Sequence, residues 1–226
     1  MSKTVHPYSH RLVVLRDWKS RWFATGRKYS DNLRTDVLVR EYLAKKLRGF
    51  YVSSVDIERN QKATRFMIKT SRPGMLIGRQ GEGATKLKEN ITSFMKRHKI
   101  KVPEDFKLDI IEVTSPDSDA SIVAYAIAEG LEKRLPFRRV LKMTVEKVMA
   151  VRGVEGVRVV LGGRLGGSEI ARTEQAKRGS IPLQTFRADV DFAREKAHLP
   201  YGDIGIKVWI YRGQVFKDSM DKTKNK

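Results

Sequence analysis

Apolar residues recur along this chain with two different periods. From Thr35, a residue type suited to an N-cap, Leu38, Val39, Tyr42, Leu43, Leu47 and Phe50 follow at spacings of three and four until Gly49 weakens the pattern, which predicts an amphipathic helix. Two runs of strand character come next, residues 51–58 with Val52, Val55 and Ile57, and residues 64–70 with Phe66 and Ile68. The polar turn Arg59-Asn60-Gln61-Lys62 between them makes a hairpin. Residues 73–78, PGMLIG, suit one short helical turn. Ala84, Leu87, Ile91, Phe94 and Met95 mark a second amphipathic helix over 82–98, and Phe106 to Val113 reads as a strand.

The polar stretch Ser115-Pro116-Asp117-Ser118-Asp119 carries a proline and helix-capping residue types, so a domain boundary is placed there. Beyond it, Val123, Ile127 and Leu131 mark a helix ending near Pro136, and Leu141, Val145, Val148 and Met149 mark another ending at Gly153. Strands are predicted at 156–161, at 183–192 through Phe186, Ala188, Val190 and Phe192, and at 204–211. The last alternates strictly, with Ile204, Ile206, Val208 and Ile210 on one face and Gly205, Lys207, Trp209 and Tyr211 on the other, and should be half buried. Residues 1–30 mix basic and aromatic residues without sustained periodicity and read as an extended arm, while residues 217–226 can bury nothing and read as a disordered tail.

A chain of 226 residues, 40% of them hydrophobic, is long enough for two modest cores. Forty-six Lys and Arg against 26 Asp and Glu leave a net charge of +20, with a basic excess in every segment, and a polyanionic partner is the simplest physical reason. No stretch approaches about 18 apolar residues, so a membrane role is not expected. With no cysteine, disulfides and thiolate chemistry are excluded, and the N-terminus lacks the apolar core of a secretory signal; the chain reads as cytoplasmic. The four histidines do not fall in ligand spacing with carboxylates, and no nucleophile-and-base set is recognisable. Neither a metal, nor a cofactor, nor a small-molecule substrate is therefore expected.

The order helix, strand, strand, short helix, GRQG, helix, strand matches a KH domain of the second topological type. In that domain a GXXG turn, here Gly78, Arg79, Gln80 and Gly81, lets two helix ends approach a nucleic-acid backbone and offers N–H groups and a cation to phosphate. The pattern alone is weak, since 17 glycines allow about one chance match and the sequence holds GVEG, GRLG and GDIG as well. GVEG and GDIG place a carboxylate where phosphate would sit, and GRLG lacks a long following helix. A plain helix-to-helix turn is the competing reading of Gly78 and Gly81.

The glycine-rich stretch 162–179 has no Lys-Ser or Lys-Thr pair in a GxxxxG frame and is not a P-loop. Its Arg164, Arg172, Lys177 and Arg178 are read instead as holding a loop and short helix against an RNA backbone, with a solvated basic face as the alternative. Arg138 and Lys142 should share a helix face, with Arg139 adjacent, as a second RNA-facing ridge.

Five segments in order, KTVHPYSHRL near the start, RPGMLIGRQGE at 72–82, LEKRLPFRR at 131–139, GGRLGGSEIARTE at 162–174 and YGDIGIKVWIYRG at 201–213, resemble the bacterial-type small-subunit ribosomal protein S-three family over residues 1 to about 216. The resemblance implies an α+β protein: a basic arm over 1–30, a type-2 KH domain (an α/β sandwich) over 31–115, and over 117–216 a C-terminal α/β domain with two helices packed on a mostly antiparallel sheet. It implies a place in the head of the small subunit, in contact with 16S-type rRNA beside proteins S-ten and S-fourteen, in a cytoplasmic or organellar ribosome. It also implies that Arg138, Arg139 and Lys142 line the messenger-RNA entry channel, and Arg11 and Arg72 join the expected rRNA contacts. A free KH-type RNA chaperone acting off the ribosome is the runner-up.

Overall fold

A computed structural model describes residues 5–60, 63–100, 102–103 and 105–216. The expected disordered tail and the Gln61-Lys62 half of the predicted turn lie outside the described residues. The chain divides into two compact units, residues 18–114 and a second unit made of residues 1–17 together with 115–226.

In the first unit the order is β1 (Ser20–Arg21), α1 (Arg27–Lys46), β2 (Val52–Arg59), β3 (Ala63–Thr70), α2 (Pro73–Ile77), α3 (Glu82–Arg97) and β4 (Asp105–Glu112). The sheet runs β1-β2-β3-β4. β2 and β3 form the expected antiparallel hairpin, whereas β3 and β4 are parallel, from Ala63 opposite Asp105 to Thr70 opposite Glu112. A parallel pair requires a crossover, and α2 with α3 supplies it. Val39 and Leu43 of α1 and Ile91 and Met95 of α3 pack on Ile57, Phe66 and Ile68 of the sheet, all of them buried.

Helix α1 starts eight positions before Thr35. Residues 27–34 are mostly polar and exposed, with Leu33 as a lone aliphatic, so hydrophobic periodicity is blind to them, and Thr35 is an interior helical residue whose hydroxyl donates to the Asp31 carbonyl at 2.8 Å. The next residue, Asp36, is buried and accepts from Ser20 Oγ at 3.0 Å, Trp22 Nε1 at 2.8 Å and Arg59 Nε at 3.0 Å. A buried carboxylate is tolerated only when it is paired and hydrogen-bonded in this way. It ties the segment before α1 onto the helix and onto β2.

The second unit contains α4 (Ala120–Glu132), α5 (Phe137–Met149), β5 (Gly156–Gly163), β6 (Arg172–Gly179), β7 (Ala188–Leu199) and β8 (Gly202–Gln214), with an all-antiparallel sheet in the order β6-β5-β8-β7. Asp119 caps α4, accepting from Ser121 N at 2.9 Å and Ile122 N at 3.2 Å. Both helices cover one sheet face, where Val157, Val159 and Leu161 of β5 and Ile204, Ile206, Val208 and Ile210 of β8 are buried. Mixed helices and sheets, with a KH domain followed by helices on an antiparallel sheet, agree with the expected fold class.

Three local expectations are corrected. Residues 172–179 form an edge strand, not a loop and short helix: RTEQAKRG has almost no apolar alternation, but the open edge of β5 offers a complete ladder from Gly156–Gly179 to Gly163–Arg172. The strand expected over 183–192 begins only at Ala188, leaving Phe186 outside it and 59% exposed. β8 is also more than half buried. Trp209 and Tyr211 are buried against Ala188 and Val190, with Ile181, Leu183 and Phe192 packed around them, so part of the second sheet face is covered too.

The arm is likewise not one element, since residues 1–17 group with the second unit and residues 27–30 open α1. Arg11, expected to contact rRNA, is fully buried. Its Nε donates to Ala188 O at 2.6 Å, its Nη1 to Pro7 O at 2.9 Å, and its Nη2 to Leu183 O and Thr185 O, both at 3.1 Å. Burial pushes its pKa down while Asp189 pushes it up. A guanidinium so engaged has no face left for a phosphate. Close by, Arg16 pairs with Asp189 at 2.6 Å, and Arg212 pairs with Asp191 at 2.9 Å and donates to Ser118 O at 3.0 Å. Arg11→Met, which strands several buried carbonyls, should cost the second unit about 3 kcal/mol in urea unfolding; an unchanged midpoint would refute this role for Arg11.

Candidate nucleic-acid interface

Between α2 and α3 the chain turns through Gly78 (φ 68), Gln80 (φ 51) and Gly81 (φ 81). Three left-handed residues within four positions make a reversal that most side chains would resist, and the two glycines adopt it without cost. Arg79 and Gln80 are exposed at its tip. The Gly78 N–H closes α2 onto Gly74 O at 3.0 Å. Helix α3 starts at Gly81 with no side-chain cap, so its first turn presents backbone N–H groups beside the loop. Glu82 in that turn is paired with Lys86 at 3.1 Å.

A third glycine, which sequence reasoning passed over, fixes the approach of the two helices. A Cβ on Gly83 would sit 2.4 Å from Leu76 O and 2.9 Å from Ile77 O, so the C-terminal end of α2 rests directly on the α3 backbone. Its signal in the sequence was only that GRQG is followed by Glu-Gly. Arg72, at the N-cap of α2, is exposed and stacks its guanidinium 4.3 Å from the centroid of the Tyr51 ring.

In the second unit, α5 and β6 enclose a groove of about 320 Å³. It is lined by Arg138, Leu141, Lys142, Val145 and Glu146 from the helix and by Glu174, Gln175, Ala176, Lys177 and Arg178 from the strand. Two basic clusters far apart in sequence are thus the two walls of one feature, with an apolar floor. Arg138 lies 3.7 Å from Glu174 and Arg172 lies 3.5 Å from it, and both guanidiniums flank the Phe137 ring, at 5.6 and 5.7 Å from its centroid. Glu174 and Phe137, which the sequence reading did not single out, therefore position the arginines at the mouth of the groove. Arg139 is exposed but does not line it. Arg164 is turned inward, donating to Ser168 O at 2.9 Å and to Tyr201 O at 3.3 Å, and so holds the loop between β5 and β6.

Among the described residues no helix is long and apolar enough to cross a membrane, and no cluster of three or more His, Asp or Glu is placed to hold a metal ion.

The glycine reversal between two helices on a mixed sheet, with cationic side chains exposed around it, defines an RNA-binding protein of the KH class. The KH domain model matches residues 38–118, and the model described as ribosomal protein S3, C-terminal domain, matches residues 127–210. Along nearly its whole length the chain is 40% identical to the small ribosomal subunit protein uS3 of Clostridium novyi (99% of this chain, 98% of the relative). It is 42% identical to that of Pseudomonas fluorescens strain Pf0-1 (99% and 95%) and 44% identical to that of Hahella chejuensis (95% and 91%). The chain belongs to the uS3 family of small-subunit ribosomal proteins.

Gly83→Ala should lower the stability of the KH unit by about 1–3 kcal/mol through overpacking against α2 and weaken RNA binding in fluorescence anisotropy. Wild-type stability together with wild-type affinity would show that the helix approach tolerates a methyl group there.

Proposed function

We propose that this protein is a structural constituent of the small ribosomal subunit in the cytoplasm. In this reading it seats its KH loop on 16S-type rRNA and presents its α5–β6 groove to incoming messenger RNA at the entry channel. Its role is one of binding and positioning, without a catalytic step. Proteins S-ten and S-fourteen are its proposed neighbours in the head of the subunit.

The observation that carries this reading is the convergence of Arg138 and Lys142 on α5 with Lys177 and Arg178 on β6 around one groove. Cations on two facing walls can follow a phosphodiester backbone on both sides, which suits an extended strand better than a base-reading pocket. In the KH unit, Gly78 to Gly81 with Arg79 contact backbone phosphate, and Arg72 stacked on Tyr51 lies just upstream of the same helix pair. Arg172 and Arg178 serve as further RNA contacts on β6. Arg139, on the exposed side of α5, extends the ridge outside the groove.

Gradient sedimentation of a tagged copy from lysate should show co-migration with small subunits that survives high salt. A salt-labile signal or a slow free peak would instead favour an RNA binder acting off the ribosome. Ribosomes carrying Arg138→Ala with Lys142→Ala should assemble normally yet translate a structured message more slowly than an unstructured one. A structured-to-unstructured rate ratio equal to that of parent ribosomes would remove the groove from message handling.

A further inference from the structure

The sheet of the second unit has a second face, turned away from α4 and α5, and only half of it is covered. Alternation places Arg158, Val160 and Gly162 of β5 on that face with Gly205, Lys207, Trp209 and Tyr211 of β8 and with Phe192, Arg194 and Lys196 of β7. At one end Trp209, Tyr211 and Phe192 lie under Ile181 and Leu183, and His6 packs edge-on against Phe192 at 4.7 Å. At the other end, among the described residues, no apolar cluster covers the sheet, and Lys207, Arg194 and Lys196 are exposed there.

Two features of this open half work against the fold. Like charges stand directly opposite one another in register, Arg194 against Lys207. Such pairs destabilise an antiparallel ladder. Among the described residues Arg194 and Lys207 form no ion pair; the acidic residue at the rim, Asp203, is engaged by His198 at 2.6 Å and lies 3.9 Å from Lys196. At the end of the β5–β8 ladder two glycines also face each other, Gly162 against Gly205. Neither glycine is required by the fold. Both have ordinary φ, and an added Cβ would meet nothing nearer than Thr173 Oγ1 at 3.6 Å from Gly162 or the Gly162 carbonyl at 3.7 Å from Gly205. Gly205 lies inside β8 with no bulge beside it, and glycine at such a position marks a place where another chain comes close to the backbone.

We propose that this open half is a second seat for an RNA phosphodiester backbone, separate from the α5–β6 groove on the other side of the sheet. The Gly162–Gly205 saddle admits the strand, and Lys207, Arg194 and Lys196 neutralise its phosphates. A backbone with a charge on every residue removes the like-charge repulsion that the protein leaves unanswered. The proposal rests on the RNA-binding reading given above, and the experiment separates the two.

The full chain is titrated into a fluorescein-labelled, mixed-sequence single-stranded RNA of about 20 nucleotides at several salt concentrations, and anisotropy gives affinity and salt slope. The variant Arg194→Gln, Lys196→Gln, Lys207→Gln is compared with Lys45→Gln, Lys46→Gln, Lys96→Gln, which removes the same charge from exposed ends of α1 and α3. Relative to that control, the outer-face variant should lose about 2 from the salt slope, at about 0.7 per phosphate contact. Gly205→Thr should melt at or above the parent temperature, because threonine favours a strand, and still bind the RNA several-fold more weakly. An outer-face variant matching the control, or Gly205→Thr binding as tightly as the parent, overturns the second seat alone, and an acidic protein segment is then the better occupant. Failure of the parent chain to bind the RNA overturns the RNA-binding reading itself.

Discussion

Each guanidinium or ammonium group in a protein of net charge +20 must either find acceptors inside the fold or be left to water and a ligand. That division organises the molecule. Arg11, Arg16, Arg164 and Arg212 spend their donors on main-chain carbonyls and carboxylates of the second unit, and Arg59 spends its own on Asp36 in the first. These arginines act as cross-links between segments, and removal of Arg11 or Arg59 would leave buried acceptors stranded. The cations on the exposed side of α5, on β6 and at the GXXG tip have few or weak internal acceptors. They form the surface available to a polyanion.

The same division explains the arm. Residues 1–30 mix basic and aromatic residues, which suits RNA contact, yet Arg11 lies under the 182–188 segment and the ion cluster of Arg16, Asp189, Arg212 and Asp191 surrounds the start of α4. The second unit is therefore built from both ends of the chain, with the KH domain carried between them. Its structure is completed by a segment synthesised first, docking on strands synthesised last. Non-local closure of this kind brings a loop-closure cost that the buried guanidinium bonds help to offset.

The groove depends on geometry that no local pattern encodes. α5 places Arg138 and Lys142 one turn apart, as its periodicity requires, but what they face is decided by β6 pairing with β5. That pairing also brings Glu174 between Arg138 and Arg172. The KH loop differs in this respect, because its glycines, its exposed arginine and the helices on either side are contiguous in sequence. There the local chemistry and the local conformation agree.

The sequence by itself determined the elements whose apolar residues keep a clean period: α3, α4 and α5, the β2–β3 hairpin, β4, β5 and β8, the break near Ser115, and the GXXG turn that needs left-handed glycine. It determined these because burial of one face imposes a period that survives without knowledge of the partner. It could not show the polar first turns of α1, the edge strand β6 or the start of β7, where backbone pairing or an exposed surface sets the structure rather than side-chain pattern. Only the tertiary structure decided that Arg11 is a buried cross-link while Arg138 and Arg178 face one groove, that Gly83 sets the helix approach, and that Trp209 and Tyr211 are covered. The fate of a long cationic side chain depends on which carbonyls and carboxylates are folded into its reach, and those come from residues elsewhere in the chain.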